Sequence, residues 1–153
     1  MSLNAPASAD ETVRAYYDAL RAGEALEPFV LPGESTIKFG ISEALFGASR
    51  VCEALRTQTE TTTDWTVESH HLVVDQRDGF ATMADEVTMA WTDAESEERK
   101  AFETRWSGTL VREATTDPSG GEQSTAATSV MASDRSTAPW RFATLHVSTS
   151  EEF

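Results

Sequence analysis

A chain of 153 residues, 39 % apolar and 25 % charged, has the size and make-up of one folded domain that can bury a core without staples. Its 26 acidic and 12 basic residues give a formal charge of −14, which excludes nucleic acid or an anionic membrane as the main partner. The one cysteine, Cys52, excludes an intramolecular disulfide and a cysteine-rich zinc site, and no apolar run approaches the ~18 residues a membrane helix needs. The N-terminal stretch has no basic region followed by an apolar one, so a cytoplasmic protein is expected. The acidic residues are spread along the chain and Lys38 and Lys100 are the only lysines. That balance points to a halophilic, salt-filled cytoplasm in which screening removes most self-repulsion.

Residues 1–9 are small and polar and read as a flexible N-terminus ahead of one domain over residues 10–150. Ser8 or Asp10 can cap a first helix carrying Val13, Tyr16, Tyr17 and Leu20 at helical spacing, and Gly23 stops it. A short turn over 25–29 precedes the Pro32–Gly33 break. Ser35 to Ile41 reads as a short strand with Ile37, Phe39 and Ile41 on one side. Ser49 is expected to cap a second helix with Val51, Cys52 and Leu55 on its apolar face, and the threonine-rich run from Thr57 to end it. From Trp65 the pattern alternates through His71 into Val73–Val74, and Asp78–Gly79 signals a hairpin. Phe80 to Trp91 is a long strand whose Met83, Val87 and Met89 face is interrupted by Asp85. Lys100 to Arg112 places Phe102, Trp106 and Leu110 opposite Glu103, Arg105 and Ser107, and Trp140 to Ser148 is the last strand. Residues 114–138 are dominated by Ala, Gly, Pro, Ser and Thr and read as a flexible hairpin-loop insertion. Helices first and antiparallel strands after make an α+β domain. The Phe102, Trp106, Leu110 face is expected to be covered by a second copy of the chain.

Four stretches carry a family resemblance: Tyr16–Glu24, Gly40–Gly47, Asp78–Ala81, and Arg105–Arg112 paired with Trp140–Ser148. Together they resemble the SnoaL-like branch of the NTF2-like superfamily. The resemblance implies a conical barrel, N-terminal helices packed on a strongly curved and mostly antiparallel sheet, often dimeric, with its site at the mouth of the cone. The superfamily holds isomerases, cyclases, dehydratases and non-catalytic dimerisation domains on one scaffold, so fold alone does not give function.

The resemblance puts Tyr16 where ketosteroid isomerases carry an oxyanion-hole tyrosine, able to hydrogen-bond a carbonyl or enolate. The isomerase base would stand in Thr36–Gly40, which has no carboxylate. Arg105 falls near the second oxyanion-hole position, where a cation favours an anionic ligand. Asp85, among apolar neighbours, needs a partner, and Arg105 is the expected one. Asp85 and His146 are the candidate acid/base groups, and Trp65 and His146 join Tyr16, Asp85 and Arg105 as candidate ligand-binding residues. Structural roles compete with each: a core tyrosine, a rim ion pair, a histidine on a dimer face. No metal cluster, phosphate loop or nucleophile elbow is visible, so neither metal nor cofactor is expected. The expected function is binding of a small organic molecule in an apolar pocket. A cofactor-free isomerase, cyclase or dehydratase acting on a carbonyl compound, or a dimerisation domain, are the alternatives.

Overall fold

The computed structural model describes residues 8–112 and 138–150. The N-terminal stretch before Ser8 and almost all of the 114–138 insertion lie outside the described residues.

Helix α1, Ala9–Ala22, starts where Ser8 accepts the Glu11 N–H in its side chain, with Asp10 and Glu11 complementing the positive end of the helix dipole. Gly23 ends it in the left-handed region at φ 71°, and its N–H reaches back to the last turn. The helix buries Val13, Tyr16, Tyr17 and Leu20. A 3-10 turn, Glu27–Phe29, leads to β1, Ile37–Phe39, and β2, Ala44–Phe46. Helix α2, Ala48–Thr61, begins at Gly47, not at Ser49, and has no side-chain cap. It also runs through the threonines expected to stop it. Thr59, Thr61 and Thr62 each bond a carbonyl one turn earlier, which lets β-branched residues complete a helix that packing already holds.

The strands β3 (Thr62–Ser69), β4 (Val73–Gln76), β5 (Phe80–Asp93), β6 (Arg99–Arg112) and β7 (Trp140–Thr149) complete a sheet of order β2-β1-β7-β6-β5-β3. Among the described residues only β1 with β7 is a parallel pair of strands, as an α+β cone with a mostly antiparallel sheet requires. β3 and β4 both pair with β5, so they form one edge broken at residues 70–72. Period-two burial along β5 puts Met83, Asp85, Val87 and Met89 on the inner face.

Phe102, Trp106 and Leu110 also face inward. Trp106 packs edge-on to Tyr16 and Tyr17, so the first helix covers the face that sequence reasoning assigned to a second subunit. The alternation of β7 reverses midway. Thr109 pairs with Thr144 but Leu110 with Phe142, which leaves Ala143 as an extra residue in a bulge. Trp140 and Phe142 before the bulge, and Leu145 and Val147 after it, therefore all reach the core, while His146 turns outward.

Candidate functional site

A cavity of about 800 Å³ opens between α2 and the inner face of the sheet. One side of α2, from Arg50 and Ala54 to Gln58 and Thr61, forms a wall of it. Trp65, Trp91 and Phe102 form the opposite aromatic wall. Trp65 and Trp91 are stacked at 4.8 Å between centroids and 22° between planes, and Phe102 continues the row 5.6 Å from Trp91. The Trp65 indole N–H donates to Thr62, which fixes the ring's orientation.

Tyr16 enters from α1. Its ring is held edge-on by Phe29 at 5.4 Å and Phe142 at 5.3 Å. Burial pushes the Tyr16 hydroxyl well above the ordinary tyrosine range, and the nearby Glu43 carboxylate adds to the effect. It stays a neutral hydrogen-bond donor at any physiological pH.

The strand β1 supplies Lys38. Ile37 and Phe39 do not turn inward as their apolar character suggests. Lys38 does, and it is only 8 % exposed. Its ammonium lies 2.7 Å from Glu43 Oε2. The pairing depends on the turn after β1, where the Gly40 N–H donates to the Glu43 carbonyl. A Cβ on Gly40 would stand 2.6 Å from that same Oε2, so glycine leaves the space into which the Glu43 side chain folds. A buried amine with its own carboxylate, beside a neutral phenol, is a polar group set inside an otherwise aromatic and aliphatic cavity. Such sets orient ligands and move protons.

The expected site residues separate. Tyr16 and Trp65 line the cavity. Asp85 is buried but is not among the residues lining it. Its carboxylate accepts from the Tyr17 hydroxyl at 2.8 Å, the Ser69 hydroxyl at 2.6 Å and the His71 backbone N–H at 2.9 Å. The expected Asp85–Arg105 pair is absent because of register. Asp85 stands opposite Trp106 and Arg105 opposite Glu86, and residues one position apart on a strand face opposite sides. Arg105 is exposed on the outer face. His146 is likewise outside the cavity, with its ring 5.6 Å from that of Phe39.

Sequence reasoning missed Lys38 and Glu43, and a signal for them was present. The chain has two lysines, and both Lys38 and Lys100 line the cavity.

No protein-family model matches the chain, and no curated protein matches it in sequence. Solved structures do match its shape. An NTF2-like family protein from Streptomyces avermitilis, named as a candidate dehydratase, superposes with a TM-score of 0.67 at 11 % identity over 94 % of each chain. An NTF2-like superfamily protein from Salmonella enterica gives 0.66 at 13 %, covering 93 % of this chain and 88 % of its own. A ketosteroid isomerase-like protein from Erwinia carotovora gives 0.64 at 14 % over 94 % of each chain. The fold is NTF2-like, an α+β architecture of two helices on a mixed seven-stranded sheet.

Proposed function

We propose that this chain is a SnoaL-like protein that binds a small organic molecule in the cavity between α2 and the sheet. The observation that carries the proposal is the contrast within that cavity: an aromatic wall of Trp65, Trp91 and Phe102, with Tyr16 and the Lys38–Glu43 pair as its polar groups. An apolar concave space with a few fixed polar groups is the usual form of a ligand site. Tyr16 donates to a carbonyl or enolate oxygen, and the rings supply the apolar contact. Three of the four tryptophans line the cavity, so their fluorescence reports on its contents. Native mass spectrometry of the purified protein is the direct test. A retained small molecule, released by Trp65→Ala or Tyr16→Phe, supports the reading. A protein that arrives empty, and whose tryptophan emission ignores a panel of aromatic ketones and acids, refutes it.

A second reading is favoured by the Lys38–Glu43–Tyr16 group itself, which has the components of an acid/base site for cofactor-free isomerisation or dehydration of a carbonyl compound. Dehydratase and isomerase names among the similar structures agree with that chemistry. Turnover of a bound ketone that is lost in Glu43→Gln, with binding retained, distinguishes an enzyme from a binding protein.

A further inference from the structure

Helix α2 spans the sheet from one edge strand to the other. The order β2-β1-β7-β6-β5-β3 puts β2 and β3 at opposite edges, and α2 is the segment that joins them. Its start is tied to the β1 side, where the Gly47 N–H donates to the Thr36 carbonyl, and its C-cap Thr62 is already the first residue of β3. The cavity beneath it is therefore long. Arg50 and Thr61, eleven residues apart, both line it, which at the helical rise of about 1.5 Å per residue is about 16 Å. Lys38 on β1 and Trp65 on β3 line it too, and the four strand spacings between them, about 4.8 Å each, agree with that length along a curved sheet.

The two ends differ in chemistry. Tyr16, held against Phe142 of β7, stands with Lys38 and Glu43 toward the β1 end. The β3 end carries Trp65, Trp91 and Phe102, one from each of three neighbouring strands. Met89, Trp106 and Val147 lie between them and are buried. The three rings at the β3 end stack on one another, Trp65 on Trp91 with 22° between planes and Trp91 on Phe102 with 30°. Their faces are turned to each other, and their edges are left for the cavity. A ring edge is the positive side of the aromatic quadrupole and attracts the face of another ring, so this end favours an aryl group over an alkyl chain. Charge is already matched along the cavity. Lys38 faces Glu43 at 2.7 Å, and Lys100 faces Glu98 at 3.6 Å and the Asp93 carboxylate. Arg50 and Glu53, one turn apart on α2, carry opposite signs. An uncharged ligand suits that balance.

Resting on the small-molecule reading above, we propose that the cavity selects a neutral, two-ended ketone, with its carbonyl at the Tyr16 end and an aryl group at the Trp65–Trp91–Phe102 end, joined by an apolar chain. The ring and the carbonyl take up roughly half of the length of about 16 Å, so about six methylene groups fill the rest. A chain of that kind lies over Met89, Trp106 and Val147, where its burial is favourable. The carbonyl oxygen accepts from the Tyr16 hydroxyl, which burial keeps protonated. A compound that carries both groups at one end leaves either Tyr16 or the aromatic row unfilled.

Two isomers of one formula test the proposal on the full chain, with tryptophan emission as the readout. In 8-phenyl-2-octanone the ring and the carbonyl stand at opposite ends, and in 1-phenyl-1-octanone they stand together. Their apolar content is nearly equal, so a difference in affinity reports position. The expected result is at least tenfold tighter binding of 8-phenyl-2-octanone. That preference should fall below threefold in Tyr16→Phe, which keeps the ring that Phe29 and Phe142 hold. In Trp65→Ala, 8-phenyl-2-octanone should weaken at least tenfold, and 2-octanone, which has no ring, less than threefold. If the isomers bind alike, two-ended selection is overturned while small-molecule binding stands. If neither isomer binds up to its solubility limit, the proposal is overturned, and the retained-ligand measurement decides the broader reading separately. If the preference persists in Tyr16→Phe, the carbonyl end is overturned, and if Trp65→Ala weakens both ketones equally, the aryl end is.

Discussion

The Asp85 carboxylate accepts three hydrogen bonds from three different parts of the chain: Tyr17 of α1, Ser69 at the end of β3, and the His71 backbone after it. A buried carboxylate with its acceptor sites occupied stabilises, whereas one with a missing donor costs the fold. Asp85→Asn keeps the shape but turns an amide N–H₂ toward a donor. It should lower unfolding free energy by about 2–4 kcal/mol in a denaturant titration, with little change in ligand binding. A neutral outcome would show that the carboxylate is not a structural hub. Gly40→Ala makes the complementary change in the cavity. The new methyl displaces Glu43 Oε2 and leaves Lys38 short of its partner, at a cost of about 1–2 kcal/mol. Glu43→Gln should remove most of that sensitivity, so a full Gly40→Ala effect in that background would contradict the mechanism.

Tyr16 and Tyr17 make the pH dependence explicit. Both hydroxyls are raised above the ordinary tyrosine value of about 10, chiefly by burial, and for Tyr17 also by its bond to Asp85. Raised groups contribute stability that is complete below the unfolded value. Above it the unfolded chain loses these protons while the folded chain keeps them, so stability falls. Unfolding free energy should be level in this respect up to about pH 10, then decline by up to about 1.4 kcal/mol per pH unit for each tyrosine. Tyr17→Phe should shallow that alkaline slope, and an unchanged slope would show that Tyr17 is not buried in its neutral form.

Among the elements, the helix α1 and the long strands β5 and β6 were legible because each carries a sustained period: 3.6 in Val13–Leu20, two in Met83–Met89 and Phe102–Leu110. From those periods came the α+β class, whereas Tyr16's place in the cavity was implied by the family resemblance. Elsewhere the cues were too short or too local. β1 and β2 have three residues each, too few for a period to show that Lys38, and not its apolar neighbours, points inward. Arg105 was misplaced because its partner was chosen by charge, and cross-strand register decides by one residue which face a side chain takes. His146 was misplaced by the bulge at Ala143, which no local residue pattern announces. The threonines at the end of α2 show tertiary packing overriding propensity.

Charge and symmetry belong to the whole molecule. Its exposed ion pairs, such as Arg14–Asp10 and Arg77–Asp75, join partners that are half or more exposed and contribute little. Self-repulsion from the −14 charge is therefore the larger effect of salt. We expect the melting temperature to climb as KCl rises from dilute buffer to molar concentration. A flat or falling curve would reject a halophilic adaptation. The inner face of the sheet is already covered, so the exposed rings of Phe46 and Phe39, 58 % and 37 % accessible and grouped with His146, offer the apolar surface for self-association. Sedimentation should show a dimer that Phe46→Lys converts to monomer, and a monomeric native chain at tens of micromolar would dismiss it.

The placement of the two lysines also governs how the protein can be handled. Amine-reactive dyes, crosslinkers and activated resins ordinarily decorate a protein at many surface sites. Here, with Lys38 enclosed and paired, the accessible side-chain amine is Lys100, beside Trp91 and Phe102. Apart from the terminal amino group, a succinimidyl ester would place its label at the cavity's entrance. An environment-sensitive dye attached there would report occupancy directly. Immobilisation through amines would obstruct the opening that an assay needs free, so capture through another part of the chain is the sounder design.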